Sequence, residues 1–333
     1  MPYISVVTPV YNAVNIVEEL HHRLVEHLEA ITDDFEIIMV NDACPYGSGE
    51  KIAEIAAKDP RVKFMELARN FGQHIAISAG LDYAEGEYVV VMDCDLQDPP
   101  HKIALLLEEL QRSGKEAIFA IREHRKDCFL KKAESHVFNT VMRKLTNRIY
   151  HGEKGTGNFS IITHRVVLAY RKLREHHRCY GSIIQYCGFE LAYLPIEGDE
   201  RFEGSSSYTF LKSIRLAFSI LLQQSARPLF ISALFSVCSF LASFLFAGMI
   251  LYNKISGEYD VNGYAGIMFT ITLMGGMIFL TLAVMSLYLA NIFEEVKGRP
   301  LYVIGKTVNF EEKSVSYCLL YTSDAADDRI SVD

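Results

Sequence analysis

Tyr88 to Pro100 reads YVVVMDCDLQDPP. Five residues suited to a buried strand run straight into a segment with three carboxylates, one amide and two prolines. Along a strand, residues two apart face the same way, so Asp93 and Asp95 project together while Cys94 points opposite. Gln97 continues that line if the chain stays extended. Two carboxylates and an amide carbonyl at a sheet edge suit Mg2+ or Mn2+, hard cations that usually keep coordination positions for substrate phosphates. Such an ion would neutralise a departing diphosphate. A plainer reading stands beside this one: an acidic pair at a strand end often only caps a helix, and Asp98 ahead of Pro99 and Pro100 is placed to do so.

Outward from this stretch, apolar strands alternate with amphipathic helical segments. YISVVTPV, FEIIMVND, RVKFMEL and YVVVMDCD read as strands, separated by helical patterns near 15–30, 48–58, 73–84 and 100–113. The alternation predicts an α/β domain with a doubly wound, mostly parallel sheet. Ligands of such sheets sit beyond the carboxyl ends of the strands, which places Thr8 to Asn12, Asn41 to Asp42 and Asp93 to Asp98 around one crevice. YGSGEK, Tyr46 to Lys51, lacks the spacing and the Lys-Ser/Thr pair of a phosphate-cradling loop and reads as a loop entering a helix.

Composition narrows the function. The 333 residues are half hydrophobic and 22% charged, with a formal charge of -8, which argues against a nucleic-acid partner and its basic stripe. Seven cysteines, at 44, 94, 128, 179, 187, 238 and 318, form no CxxC pair and no zinc spacing, as expected of reduced thiols. The paired histidines, His21 with His22 and His176 with His177, lack supporting ligands and read as surface residues. The N-terminus carries a strand pattern rather than a cleaved signal peptide.

Two uncharged runs, Leu229 to Tyr252 and Ala265 to Phe293, are long enough as helices to cross a bilayer core of ~30 Å. A buried helical hairpin is the alternative. Lys212, Arg215 and Arg227 precede the first run and Lys297, Arg299 and Lys306 follow the second, whereas the connecting loop offers Lys254 against Glu258 and Asp260. The positive-inside rule then puts both ends in the cytoplasm, a multi-pass arrangement in the plasma (bacterial inner) membrane. Ahead of the first run, Phe210, Leu211, Ile214, Phe218, Leu221 and Leu222 recur at helical spacing, as in a helix lying in the membrane interface or packed on the domain. The reading divides the chain into a catalytic domain (1–207), an interfacial helix (208–228), a first span (229–252), an external loop (253–264), a second span (265–293) and a cytoplasmic tail (294–317). CLLYTSDAADD, Cys318 to Asp328, resembles the translation of a transposon-type sequencing adapter, and 318–333 is read as an artefact.

SVVTPVYN, VND, LARNFGQHIAISAGLDYAEGEYVVVMDCDLQDPP, TGNFSIITHRVV and RFEGSSSY occur in the order and spacing of one group of enzymes. From about Ser5 through both apolar runs the chain resembles family 2 glycosyltransferases of the polyprenyl-phosphate type, a group that includes dolichyl-phosphate mannose synthase and undecaprenyl-phosphate glucosyltransferases. The block from RNFG to DLQDPP is the most diagnostic. The resemblance implies a GT-A fold and a metal-dependent hexosyltransferase. It takes a nucleotide-diphosphate sugar, UDP- or GDP-linked, and passes the sugar with inversion to a polyprenyl phosphate. It also implies that Pro9, Tyr11 and Asp42 hold the nucleoside, with Arg69 on the donor side. Asp93, Asp95 and Gln97 would form the metal and diphosphate site. Pro9 to Asn12 as a simple turn, and Asp42 as a helix cap, are the plainer readings.

Two positions depart from the group. Many relatives carry an acid where this chain has Asn158, and an amide cannot act as a general base. A phosphate monoester, with its second pKa near ~6, is mostly dianionic at pH 7 and attacks without losing a proton. Asn158 is therefore expected to position the acceptor or a sugar hydroxyl. Relatives usually carry Lys where Ser207 stands. Arg122, Arg125, Lys131, Lys132 and Arg201 are the candidate phosphate grips, with Arg201 the first choice to replace the lost cation, against the plainer reading of a solvated basic face. Transfer to a lipid-linked saccharide and a silent scaffold retaining the fold remain alternatives; with no Trp the chain has no QxxRW element of processive synthases. A homo-oligomer is left open.

Overall fold

The computed structural model describes residues 1–122, 156–176, 178–196, 227–256 and 263–310. Two compact units divide the chain: 227–256 and 263–298 fall in one, and the other described residues in the second. The expected interfacial helix falls outside the described residues apart from Arg227 and Pro228, and the adapter-like end falls outside them entirely.

The larger unit is an eight-stranded sheet with the order β7-β5-β6-β4-β1-β2-β3-β8. The first four strands, β1 (Ile4–Val10), β2 (Phe35–Asn41), β3 (Val62–Leu67) and β4 (Tyr88–Val91), are mutually parallel where they pair. β5 (Ala117–Arg122) and β7 (Leu191–Ile196) run parallel to each other, and β6 (Thr156–Thr163) is antiparallel to both β4 and β5. Every residue of β1 and β2 is buried, so these central strands read as apolar runs covered on both faces.

One face is covered by α1 (Val17–Glu29), α2 (Ser48–Lys58) and α4 (Ile103–Ser113), whose Leu20, Leu24, Leu28, Ile52, Leu106 and Leu110 form one core. The other is covered by α3 (Gln73–Tyr83), α5 (His164–Lys172) and α6 (Tyr180–Tyr186). α3 lies closest, because Gly80 has no side chain: a Cβ there would come within 2.4 Å of Val7 Cγ1. This is the GT-A type of doubly wound sheet expected above.

The sheet differs from expectation at two ends. β4 stops at Val91 and does not continue to Asp95. Met92 still donates to the Val7 carbonyl, but the Asp93 amide turns onto the Asp98 carboxylate at 3.4 Å. The strand alternation invoked for Asp93 and Asp95 therefore does not apply; a turn places them. At the far edge, the segment read as a tail contributes β8 (Ile304–Val308), antiparallel to β3. Leu301 and Tyr302 are buried in the core, Tyr302 donates to Asp82, and the Asn309 amide donates to the carbonyls of Ala56 (2.6 Å) and Val62 (2.8 Å).

The second unit holds α7 (Arg227–Ile255) and α8 (Tyr264–Val296), both long and apolar enough to cross a membrane. Large apolar side chains such as Phe230, Phe244, Leu245, Phe279 and Leu280 are exposed along them, a surface suited to lipid and costly in water. Ser236 and Thr281 share a hydrogen bond between the two helices, 2.9 Å. These helices associate the chain with a membrane.

Asp59 closes the α2–β3 turn and supplies a stability test. It accepts from the Arg61 amide and guanidinium and lies 3.2 Å from the His21 ring. Burial alone would push its carboxyl up; the Arg61 and His21 hydrogen bonds outweigh that and hold it at about 2. A carboxyl whose folded pKa lies below its unfolded one stabilises fully above the unfolded value, near 3.8, and loses that contribution as pH falls through about 2. Asp59→Asn is expected to cost about 2 kcal/mol at neutral pH and to flatten the fall of Tm between about pH 5 and pH 2. Thermal unfolding of both proteins across that range is the check, and superimposable acid limbs would refute it.

Candidate active site

The crevice at the carboxyl ends of β1, β2 and β4 carries backbone strain. Among the described residues four non-glycine residues have positive φ, and three of them are here: Asn12 at 54°, Ala43 at 49° and Leu96 at 57°. Each follows a strand by a few residues. Such conformations persist where surrounding contacts fix them, and they cluster at functional sites.

The turn after β4 is fixed from three sides. Leu96 is buried, and Cys94 packs on the core, where burial pushes its thiol up to about 12. The backbone of Tyr11 hydrogen-bonds that thiol, joining the β1 loop to the turn. Asp98, 1% exposed, receives the Asp93 amide, and Asp95 receives the Gln97 amide at 3.2 Å. Asp98, which the plainer reading made a helix cap, reaches back to the Asp93 amide and so closes the turn.

One oxygen organises the centre. Asp93 Oδ1 accepts from Gln73 Nε2 at 2.6 Å and from Asn158 Nδ2 at 3.1 Å. Gln73 is the first residue of α3, and Asn158 lies in β6 two residues before Ser160, which pairs with Val91. Because β6 runs antiparallel to β4, its start lies beside the end of β4. Three elements distant in sequence thus meet on one carboxylate.

The donor-side candidates lie around this centre. Pro9 is buried within β1, and Tyr11 is exposed at its end. Asp42, 3% exposed, accepts from the Phe71 amide at 2.7 Å and the Gly72 amide at 2.8 Å. Its carboxylate therefore braces the loop entering α3, at a point where Gly72 takes φ 96° and a side chain would be strained. Arg69 is exposed on that loop, stacked 4.2 Å over Phe71. Cys44, two residues after Asp42, accepts from the Asn12 amide and from Ser48; burial opposes ionisation, but hydrogen bonds bring its thiol below the usual range.

The register places Arg122 at the end of β5, opposite Ile196 and on the same sheet edge. Arg125, Lys131, Lys132, Arg201 and Ser207 lie outside the described residues. Gln73 was not foreseen. Its signal was present: a polar residue directly after the strained Gly72, opening a helix with seven buried residues.

The residues of the turn fit a divalent cation. Asp93 and Asp95 offer hard carboxylate oxygens, and Mg2+ or Mn2+ held by one or two carboxylates with substrate phosphates needs no third acid. Among the described residues no three His, Cys, Asp or Glu side chains converge on one point.

Comparison with known proteins decides the family. The model of glycosyl transferase family 2 matches residues 5–174. The chain belongs to glycosyl transferase family 2. This glycosyltransferase is 31% identical over 310 residues to the uncharacterized glycosyltransferase YkcC of Bacillus subtilis, covering 93% of this chain and 95% of that one. It is 29% identical over 306 residues to a prophage-derived bactoprenol glucosyl transferase of Shigella flexneri, covering 91% and 98%. It is 31% identical over 320 residues to an undecaprenyl-phosphate 4-deoxy-4-formamido-L-arabinose transferase of Pectobacterium atrosepticum, covering 92% and 94%. The polyprenyl-phosphate type named from the sequence matches the carriers in the names of the Shigella flexneri and Pectobacterium atrosepticum relatives.

The shared oxygen generates a double-mutant test. Gln73→Ala and Asn158→Ala each remove one charge-assisted hydrogen bond, a loss expected to lower kcat/KM about tenfold to a hundredfold. Because both hold one carboxylate, the double variant is expected to fall short of the product of the single losses. Strictly multiplicative effects would show that the two amides act independently.

Proposed function

We propose that this glycosyltransferase moves a hexose from a nucleotide-diphosphate sugar to a polyprenyl phosphate, with inversion, at the cytoplasmic face of the membrane. The observation that carries the reading is the Asp93 carboxylate fixed by Gln73 and Asn158 at the convergence of three strand ends. The family fixes the chemistry as glycosyl transfer. The acceptor class is supported by the names of the relatives from Shigella flexneri and Pectobacterium atrosepticum, which share a polyprenyl carrier and differ in the sugar.

Membrane placement supports the same acceptor. A polyprenyl tail stays buried in hydrocarbon, so its phosphate cannot travel far into water, and a transferase using it must work at the interface. In this reading α7 and α8 span the bilayer, and the flanking basic residues keep the catalytic domain and both ends cytoplasmic.

Asp93, Asp95 and Gln97 would hold Mg2+ or Mn2+, which when bound offsets the charge of the departing diphosphate. The remaining work falls to the chain itself. Tyr11 and Arg69 are exposed to receive the nucleoside and its phosphates, while Asp42 holds the Arg69 loop in place through Phe71 and Gly72. Asn158 donates to Asp93, which leaves, among the described contacts, its second side-chain N–H and its side-chain oxygen to orient the acceptor or a sugar hydroxyl. No side chain is needed as a base, because the acceptor phosphate supplies its own lone pair. Arg122 and Arg201 are the cations assigned to it. Transfer to a lipid-linked saccharide, and a silent scaffold, are weaker readings: nothing in the described site favours either.

Membranes carrying the chain, given labelled nucleotide sugars and polyprenyl phosphate, are expected to yield labelled lipid. Chelation should abolish the product and Mn2+ restore it, and Asp95→Ala should lower turnover by at least about a hundredfold while the protein stays folded. Turnover should decline below about pH 6, as the acceptor phosphate takes up its second proton. Equal activity after exhaustive chelation would exclude the reading.

A further inference from the structure

Arg178 is buried to 7% exposure and has no part in the site described so far. Its Nη1 donates to the Leu173 carbonyl at 2.5 Å, and its guanidinium stacks 4.7 Å over the Tyr170 ring. Its Nε and Nη2 are buried without a hydrogen-bond partner. The neighbouring acid, Asp82, is already engaged by Arg174 and Tyr302. Among the described residues, then, a buried cation stands without a counterion, a costly arrangement for a chain to keep.

The two unpartnered nitrogens are informative as a pair. Nε–H and Nη2–H form one edge of the guanidinium and point two parallel donors at a single anion, the fork that matches two oxygens of a phosphate. The other side of the group is the one tied to Leu173, so the fork is held in orientation.

The position of Arg178 along the chain sets its place in the fold. Arg171, at the end of α5, donates to the carbonyls of Leu81 and Ala84 near the C-terminus of α3. Nine residues later the Tyr180 amide meets His74 Nδ1 in the first turn of α3 at 3.4 Å. The segment between them therefore climbs the flank of α3 to the sheet edge that carries the active site. His74 follows Gln73, which holds Asp93, and burial together with the Arg178 charge keeps its imidazole below the usual range. On the other side, the Tyr180 hydroxyl shares a hydrogen bond with Ser160 at 2.8 Å, and Ser160 bonds the Asn158 carbonyl. Arg178 thus lies between α5 and α6, on the flank of α3 whose first turn reaches that edge.

We infer that the Nε and Nη2 edge of Arg178 is a phosphate-binding subsite that receives the phosphate head of the acceptor. This rests on the proposed acceptor; the phosphate chemistry itself does not. A phosphate monoester dianion offers the oxygens the fork requires, and within a buried setting the pairing is stronger than in water. Arg178 adds to Arg122 and Arg201 a cation held by described contacts.

The test uses the detergent-solubilised full chain. Inorganic phosphate is titrated calorimetrically into the wild type, Arg178→Lys and Arg178→Gln, with thermal unfolding confirming the fold of each. Lysine keeps the charge and loses the fork, so phosphate is expected to bind about tenfold more weakly to Arg178→Lys, and the KM for polyprenyl phosphate to rise about as much while that for the nucleotide sugar stays unchanged. Displacement of inorganic phosphate by polyprenyl phosphate, but not by polyprenol, in mixed micelles identifies the lipid head as the occupant. Phosphate binding that depends on Arg178 but resists polyprenyl phosphate would overturn the lipid assignment. Unchanged phosphate affinity in folded Arg178→Lys would overturn the subsite. If no sugar reaches any polyprenyl phosphate, the proposed function fails, while the titration still reads the subsite on its own.

Discussion

A single carboxylate oxygen, Asp93 Oδ1, carries hydrogen bonds from two amides that the chain brings from opposite sides. Gln73 arrives on α3 and Asn158 on β6, 85 positions later in the sequence (158 less 73). A flexible acid at a strand end samples several rotamers; one held by two donors presents its second oxygen in a fixed direction. Charge-assisted hydrogen bonds are also stronger than neutral ones. An acid at position 158 would set a second negative charge against Asp93. Asn158 donates instead.

The rest of the sheet serves to keep those three elements in register. Gly80 lets α3 settle onto β1, Asp42 fixes the two amides ahead of α3, and antiparallel β6 returns its start to the end of β4. The far edge is covered by β8, whose chain leaves α8 at Val296 and is back in the sheet by Ile304. An uncovered edge would be open to pairing with another chain. In the same return the Val303 carbonyl accepts from the amide of Ala68, directly ahead of Arg69. The loop that carries Arg69 is therefore anchored by residues that follow the second apolar helix.

Much of this was legible in the sequence, and the misses have identifiable causes. The alternation of apolar runs with amphipathic segments located β1 to β4 and α1 to α4 closely, because buried parallel strands are nearly continuous in Val and Ile. The spans stood out through length and lack of charge. The extent of β4 was misjudged because period-two reasoning cannot see that Asp98 reaches back to the Asp93 amide. β8 was missed because IGKTV is short and half exposed; only its pairing with β3 makes it a strand. Gln73 and Arg178 were missed for a related reason: the contact of Gln73 is with Asp93, 20 positions away, and Arg178 stands out only through two buried nitrogens without a partner; neither is written in a local pattern.

The most direct measurement is an anomalous difference map at the manganese edge from crystals of the full chain grown with Mn2+ and a nucleoside diphosphate. One peak is expected against the turn after β4, in contact with the Asp93 and Asp95 carboxylates, with Gln73 and Asn158 still bonded to Asp93. A peak away from that turn, or an Asp93 released from both amides when the nucleotide is bound, would contradict the proposal at its root.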